Sequence, residues 1–336
     1  MITRRELLVA GAAVTALAAL PAWARGPARY PAPTRELMVP VEGGRIYVRV
    51  NGDLAGPRPP LVIVHGGPGG THGAYLDALA LADRRAVILY DQLDSGRSDW
   101  PQNPANWRVE RFVDELDRVR NALGVKRWHV LGHSWGGTIA LEYGARQPER
   151  LAHPVFASSM LASLILASPL VSTRSWIADA NALRDELPPV VRQELARCDA
   201  LPAPIPVSCD EATGVFYASF NGREPPSDGM RAYRASEGRG FDPKLYETMW
   251  GRSEFVATGT LKDYDGEPLL ARLDGPRTLF IGGQYDEARP STLANFAARV
   301  PGAELAVVPG AAHGFLGDRP VEALGILRGW LERHDS

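Results

Sequence analysis

The chain has only two cysteines, Cys198 and Cys209. That excludes a disulfide-dense scaffold and a cysteine-built zinc module. It has no basic surplus either: 37 Lys and Arg stand against 39 Asp and Glu, so nucleic acid is not an expected partner. There is no long hydrophobic run. The longest, Leu7 to Leu20, is too short to span a bilayer as a stable helix. Low complexity and internal repeats are missing, and no G-K-[ST] follows a glycine-rich loop, so a phosphate cradle of that type is excluded. What remains is an ordinary globular composition, 45% hydrophobic and 23% charged, with ample side chain for a core.

Residues 1–24 have the layout of an export signal. Arg4-Arg5 precede the apolar run, and Pro21-Ala22-Trp23-Ala24 is an A-x-A cleavage pattern. The paired arginines resemble a twin-arginine signal, so a periplasmic or secreted location is expected, with no stable membrane association after cleavage. Cys198 and Cys209 either pair in that oxidising compartment or stay as free thiols if the chain folds before export.

Beyond a Pro-rich linker, 37–41 and 45–50 read as strands joined by a turn at Glu42-Gly43-Gly44. The runs 60–64, 86–90 and 128–131 are continuously apolar, as strands buried on both faces are. Helical spacing marks 109–123 and 135–145, a weaker strand falls at 155–157, further strands at 277–281 and 303–308, and a last helix at 320–333. This alternation predicts an α/β fold with a mostly parallel, doubly wound sheet. Its parts are 36–160 and 274–333. Residues 161–273 break the alternation, carry Pro188-Pro189, Pro202 to Pro206 and Pro225-Pro226 as breakers and read as an inserted helical lid.

The chemistry clusters where these strands end. Gly132-His133-Ser134-Trp135-Gly136 is a G-x-S-x-G elbow between a strand and a helix, a turn that presents the serine hydroxyl above the sheet. A serine needs a base held by an acid, in the chain order Ser, Asp or Glu, His. Asp286 and His313 each follow a later strand and fill those positions, with Glu287 in reserve for the acid. His133 must point away from the Ser134 side chain, His65 reads as structural, and His72, His129, His153 and His334 read as packing, surface or tail residues. The oxyanion donors expected are the backbone N–H groups of Trp135 and of Gly67, the latter in His65-Gly66-Gly67-Pro68-Gly69-Gly70. No metal and no organic cofactor is implied.

Taken together, His65-Gly66-Gly67-Pro68-Gly69, Asp91-Gln92-Leu93-Asp94-Ser95-Gly96-Arg97-Ser98 and Gly132-His133-Ser134-Trp135-Gly136-Gly137 resemble the proline iminopeptidases, or prolyl aminopeptidases. These are serine peptidases of the α/β-hydrolase fold, related to bacterial L-amino acid amide hydrolases. The resemblance continues through Tyr246 to Phe255 and Gly259 to Asp265, and covers most of 36–333. It implies removal of an N-terminal residue, proline above all, from small peptides, or hydrolysis of an amino acid amide. It further implies that Glu254 binds the substrate amine and that a second lid acid assists, for which Glu211 is the candidate. Trp250 and Phe255, with Phe216 and Tyr217, either line an apolar proline pocket or pack the lid. The first half of the lid departs from the usual peptidase pattern, which leaves the leaving-group side open. An exported carboxylesterase or lactonase with the same triad is the alternative. A haloalkane dehalogenase would need an aspartate in place of Ser134, and the intact Ser134, Asp286 and His313 speak against a silent binding protein.

Overall fold

The computed structural model describes residues 29–150, 160–201 and 206–336; nothing is described of the side chains of 146–150. The export signal and the expected strand at 155–157 lie outside the described residues.

The chain opens with a hairpin, β1 (Arg35–Val41) and β2 (Gly44–Asn51). Then come β3 (Leu61–Val64), a 3-10 stretch (His72–Asp83), β4 (Val87–Tyr90), α1 (Val109–Leu123), β5 (Trp128–His133) and α2 (Trp135–Arg150). After them come β6 (Leu161–Ala167) and five helices: α3 (Thr173–Arg184), α4 (Pro189–Asp199), α5 (Val207–Phe220), α6 (Asp228–Ser236) and α7 (Pro243–Met249). The chain returns to the sheet with β7 (Thr278–Gly283), α8 (Pro290–Ala298), β8 (Glu304–Val308), the short α9 (Phe315–Asp318) and α10 (Pro320–Arg333). The eight strands are ordered β1-β2-β4-β3-β5-β6-β7-β8. Pairings involving β2 are antiparallel and all others are parallel.

The period-2 alternation of each central strand divides one sheet into two cores. Val62, Val64, Ile88, Tyr90, Val130, Leu164, Leu166 and Phe280 face α1 and α2, whose Phe112, Leu116, Val119, Ile139 and Ala140 lie buried against them. Leu61, Ile63, Val87, Leu89, Leu131, Ile165, Leu279 and Ile281 face the 3-10 stretch and α10, which contribute Leu76, Leu79, Leu327 and Trp330. Both faces being covered is why these strands are apolar throughout.

β6 corrects the expected domain boundary. Leu161–Ala167 falls within the expected insertion, and its Leu and Ala residues suit a helix as well as a strand. In the fold it pairs with both β5 and β7 and belongs to the sheet. The lid therefore starts after β6. Its two stems meet: Ser172 and Asp265 form an antiparallel bridge, flanked by Thr173 N–H to Tyr264 O at 3.0 Å and Gly266 N–H to Val171 O at 2.9 Å. The lid has a core of its own in Ala180, Leu183, Leu195, Ala212, Phe216, Phe220 and Phe255. Cys198 on α4 and Cys209 on α5 are joined as a disulfide with Cα atoms 5.8 Å apart, which decides between the two states left open by the sequence. No helix among the described residues is long and apolar enough to cross a membrane.

Candidate active site

Ser134 sits between β5 and α2 with φ of 57°, a left-handed conformation that a residue bearing a side chain adopts at a cost. The turn is tight enough to require its glycines. A Cβ on Gly132 would lie 2.1 Å from Gly136 O, and one on Gly136 would lie 2.1 Å from Val64 O. Backbone bonds hold the turn in place: Ser134 N–H donates to Ala167 O at 3.0 Å, and Ser134 O accepts from Gly137 and Leu170. Trp135 opens α2, so its N–H is one of the four that a helix leaves without an intrahelical acceptor. Gly67 has φ of 118°, and a Cβ there would meet Gly69 N and Gly70 N at 2.7 and 2.6 Å.

Asp286 and His313 come together as expected. Asp286 Oδ1 lies 2.8 Å from His313 Nδ1. The donors around the carboxylate come from the end of β7 and the loops after β6, β7 and β8. Oδ1 also accepts from Ala288 N–H, and Oδ2 accepts from Gly283 N–H and from the Ser168 hydroxyl. Burial alone would raise the Asp286 carboxyl, but the His313 charge and these bonds outweigh it and hold it below the ordinary aspartate range. Burial likewise pulls the His313 imidazolium down, yet the carboxylates of Glu287, Asp286 and Glu254 overcome it and hold the ring up at about 9.

His133, expected only to point away from the serine, braces the site. Its Nε2 donates to His313 O at 2.9 Å, and its Nδ1 accepts from the Tyr75 hydroxyl at 3.0 Å, which in turn accepts from Gly66 N–H. Burial, then the neighbouring His313, lowers the His133 pKa to about 3, so the ring is neutral and this run of bonds has one direction. It ties the Gly66-Gly67 loop to the histidine loop. His65 is structural, as expected: its Nε2 accepts from Gln92 N–H, and Gln92 Oε1 accepts from the Trp135 indole. His72 is fully buried, with both its backbone N–H and Nδ1 on Asp91 Oδ1. The Asp91 to Ser98 motif thus clamps the loops around the elbow.

Glu254 is brought to the site. It is buried in the lid, its Oε1 accepting from the Tyr217 hydroxyl at 2.7 Å and from the Tyr246 hydroxyl at 2.5 Å, its Oε2 facing the Trp176 indole N–H at 3.3 Å. Burial, and then Glu254 itself, raises the pKa of both tyrosines, so they remain donors. Trp176, which no sequence signal marked, also meets the His313 ring edge-on at 5.6 Å.

Other expected positions are corrected. Glu211 lies exposed on α5 and does not reach the site. The further acid that does lie beside His313 is Glu287, the reserve candidate for the triad acid. It is buried, with Oε1 3.4 Å from His313 Nε2 and accepting from Asn221 Nδ2 at 2.8 Å. Its Oε2 is buried and has no hydrogen-bond donor among the described residues. Burial, then the repulsion of Glu254 and Asp286, pushes the Glu287 carboxyl up. Trp250 and Phe255 are both buried. Trp250 bonds Ser253 O through its indole and stacks edge-on with Trp176, while Phe255 packs on Phe216 in the lid core. Among the described residues, Glu194, Cys198 and Cys209 alone bring three metal-type donors together, and the two sulfurs are spent on the disulfide.

Residues 59–320 match the family model described as alpha/beta hydrolase fold. The proline iminopeptidase of Heyndrickxia coagulans is 33% identical over 88% of this chain and 98% of its own length. The crystal structure of a Mycobacterium smegmatis proline iminopeptidase is 34% identical with a TM-score of 0.77, covering 90% of this chain and 99% of that one. VinJ, with a TM-score of 0.80 at 32% identity, covers the same shares. By fold, by sequence and by the strand-end placement of Ser134, Asp286 and His313, this chain belongs to the proline iminopeptidase family of α/β hydrolases.

Proposed function

We propose that the protein is a serine aminopeptidase that releases an N-terminal residue, proline above all, from small peptides, or hydrolyses amino acid amides. The observation that carries this reading is the pair of buried carboxylates beside His313, with Glu287 Oε2 lacking a donor. A buried carboxylate oxygen without a donor is costly. An N-terminal primary or secondary ammonium ion supplies both the donors and the charge, and a substrate without one leaves the two acidic groups uncompensated. Proline iminopeptidase is also the activity named for the relatives.

In this mechanism the Ser134 hydroxyl attacks the carbonyl carbon of the N-terminal residue while His313 Nε2 takes its proton. Asp286 fixes the proton on Nδ1 and stabilises the imidazolium through the 2.8 Å bond. The N–H groups of Gly67 and Trp135 receive the developing oxyanion. His313 then returns the proton to the leaving nitrogen, the C–N bond breaks, and an acyl-enzyme remains. Water, deprotonated by the same ring, attacks the acyl carbon, and the free amino acid leaves as Ser134 regains its proton.

The test compares proline para-nitroanilide, the same compound acylated on nitrogen, and para-nitrophenyl acetate on purified protein. Strong preference for the free imine is expected. Fast ester cleavage without that preference would move the protein to the esterases. The export reading stands as a second proposal, supported by the Arg4-Arg5 signal and by a disulfide suited to an oxidising compartment. Unchanged export after Arg4→Lys and Arg5→Lys would overturn its twin-arginine part.

A further inference from the structure

We propose that Glu287 is a gate on the triad: without substrate its carboxyl group occupies the Nε2 side of His313, the side that must receive the Ser134 proton, and the substrate's own amine cation releases it. The proposal rests on the amine-recognition reading above and adds to it a coupling between recognition and reactivity.

His313 has two ring nitrogens, and Asp286 commits Nδ1. Only Nε2 remains to act as base, and Glu287 Oε1 lies 3.4 Å from it. Glu287 is itself held there. Its backbone N–H donates to Phe220 O, and Asn221 Nδ2 donates to its Oε1.

The charged surroundings of the ring come from several elements. Asp286 and Glu287 lie on the loop after β7, and Glu254 on the segment after α7. His133, at the end of β5, stacks 4.5 Å from the ring and is neutral. Behind Asp286, Asp179 of α3 accepts from Arg289 N–H and Thr292 and faces the Arg289 guanidinium at 4.0 Å. Asp318 of α9 accepts from Ala312 N–H, next to His313, and from the backbone of Arg223 and Glu224. Asp286, Glu287 and Glu254 thus share one buried pocket with the His313 ring, and a proton on Nε2 is stabilised by all three.

A protonated Nε2 cannot take the serine proton. When the substrate's amine cation settles against Glu254 and Glu287, it supplies the positive charge that the imidazolium supplied before. The Nε2 proton is then free to leave to solvent, and the lone pair turns to the Ser134 hydroxyl. A substrate that lacks the cation meets a ring still protonated near neutrality. Selection for a free N-terminus therefore acts on kcat as well as on binding.

The experiment measures pH profiles. For para-nitrophenyl acetate, kcat/KM reports the free enzyme; for proline para-nitroanilide, kcat reports the complex. The expected midpoint of the ascending limb, where His313 loses its Nε2 proton, is lower for the anilide by about 1–3 pH units, the displacement a neighbouring charge produces. Glu287→Gln is expected to bring the ester midpoint down to that of the anilide. A second measurement leaves residue 287 untouched. In Ser134→Ala labelled with nitrogen-15 histidine, adding prolinamide at neutral pH is expected to convert His313 from imidazolium to neutral imidazole. Coincident midpoints in the wild type, or a His313 signal indifferent to prolinamide, overturn the gate. If free-imine preference is present while the midpoints coincide, the gate alone fails. If that preference is missing, the amine-recognition reading fails and takes the gate with it.

Discussion

The sheet and the lid solve different problems with different amounts of redundancy. In the sheet, each central strand alternates between two large cores, and the elbow is fixed by backbone bonds and by glycines that no other residue can replace. In the lid, a small core of phenylalanines and leucines, one disulfide and two stem bonds hold helices whose polar groups aim a single glutamate. The first arrangement holds reacting atoms in place; the second chooses what reaches them. Substitutions in the sheet should therefore spare no substrate, whereas substitutions in the lid should separate one substrate class from another.

The sharpest form of that contrast is Ser134→Ala. It is expected to lower kcat/KM by about four to six orders of magnitude on anilide and ester alike, and to abolish labelling by a fluorophosphonate probe. Next is Asp286→Asn, which keeps the geometry but disfavours the required tautomer. A loss of about 10⁴-fold on both substrate types is expected in steady-state assays. Glu254→Gln should break the symmetry. Its loss of about 2–4 kcal/mol in transition-state binding is expected for free-amine substrates and not for para-nitrophenyl acetate. Equal losses on both would mean that Glu254 serves the lid's structure alone.

Smaller effects compare the two cores directly. Ile63→Ala, in a strand buried on both faces, is expected to cost about 2–5 kcal/mol of global stability in denaturant titration. Phe216→Ala, in the lid core, should cost a similar amount locally and reduce free-imine preference while ester turnover persists. The smallest effect is expected from opening the Cys198–Cys209 disulfide with Cys198→Ser and Cys209→Ser together. The loop it closes is short, so about 2–3 kcal/mol of chain-entropy stabilisation is at stake. That should appear as earlier proteolysis in the lid, with the sheet's unfolding transition nearly unmoved.

The same contrast explains what could be read from the residues alone. Runs such as Leu61 to Val64 and Val87 to Tyr90 are apolar because both faces are covered, and the elbow's Gly132 is demanded by a contact with Gly136 within the motif. Such signals are local and survive in one dimension. β6 was misplaced because Leu161 to Ala167 carries no residue that distinguishes a buried strand from a buried helix. The lid was harder still. Whether Glu211 or Glu287 faces the site depends on how α5 docks, and neither residue's neighbours in sequence record that. Glu287 stands beside Asp286 in sequence, but its partners, Asn221 and Phe220, come from more than sixty positions away. The bracing role of His133 is hidden for a like reason: it is set by Tyr75 and by the His313 carbonyl.

The end of α5 has a consequence for exchanging parts between relatives. Phe220 O accepts from the N–H groups of both Glu287 and His313, and Asn221 O accepts from Gly314 N–H. The stem bridge at Ser172 and Asp265 looks like the natural pair of cut points for grafting a foreign lid. A graft made there also removes the carbonyls on which the histidine loop is moored. A donor lid will work only if it returns a chain end to that spot, so the unit of modular exchange is the lid together with its Phe220-Asn221 anchor.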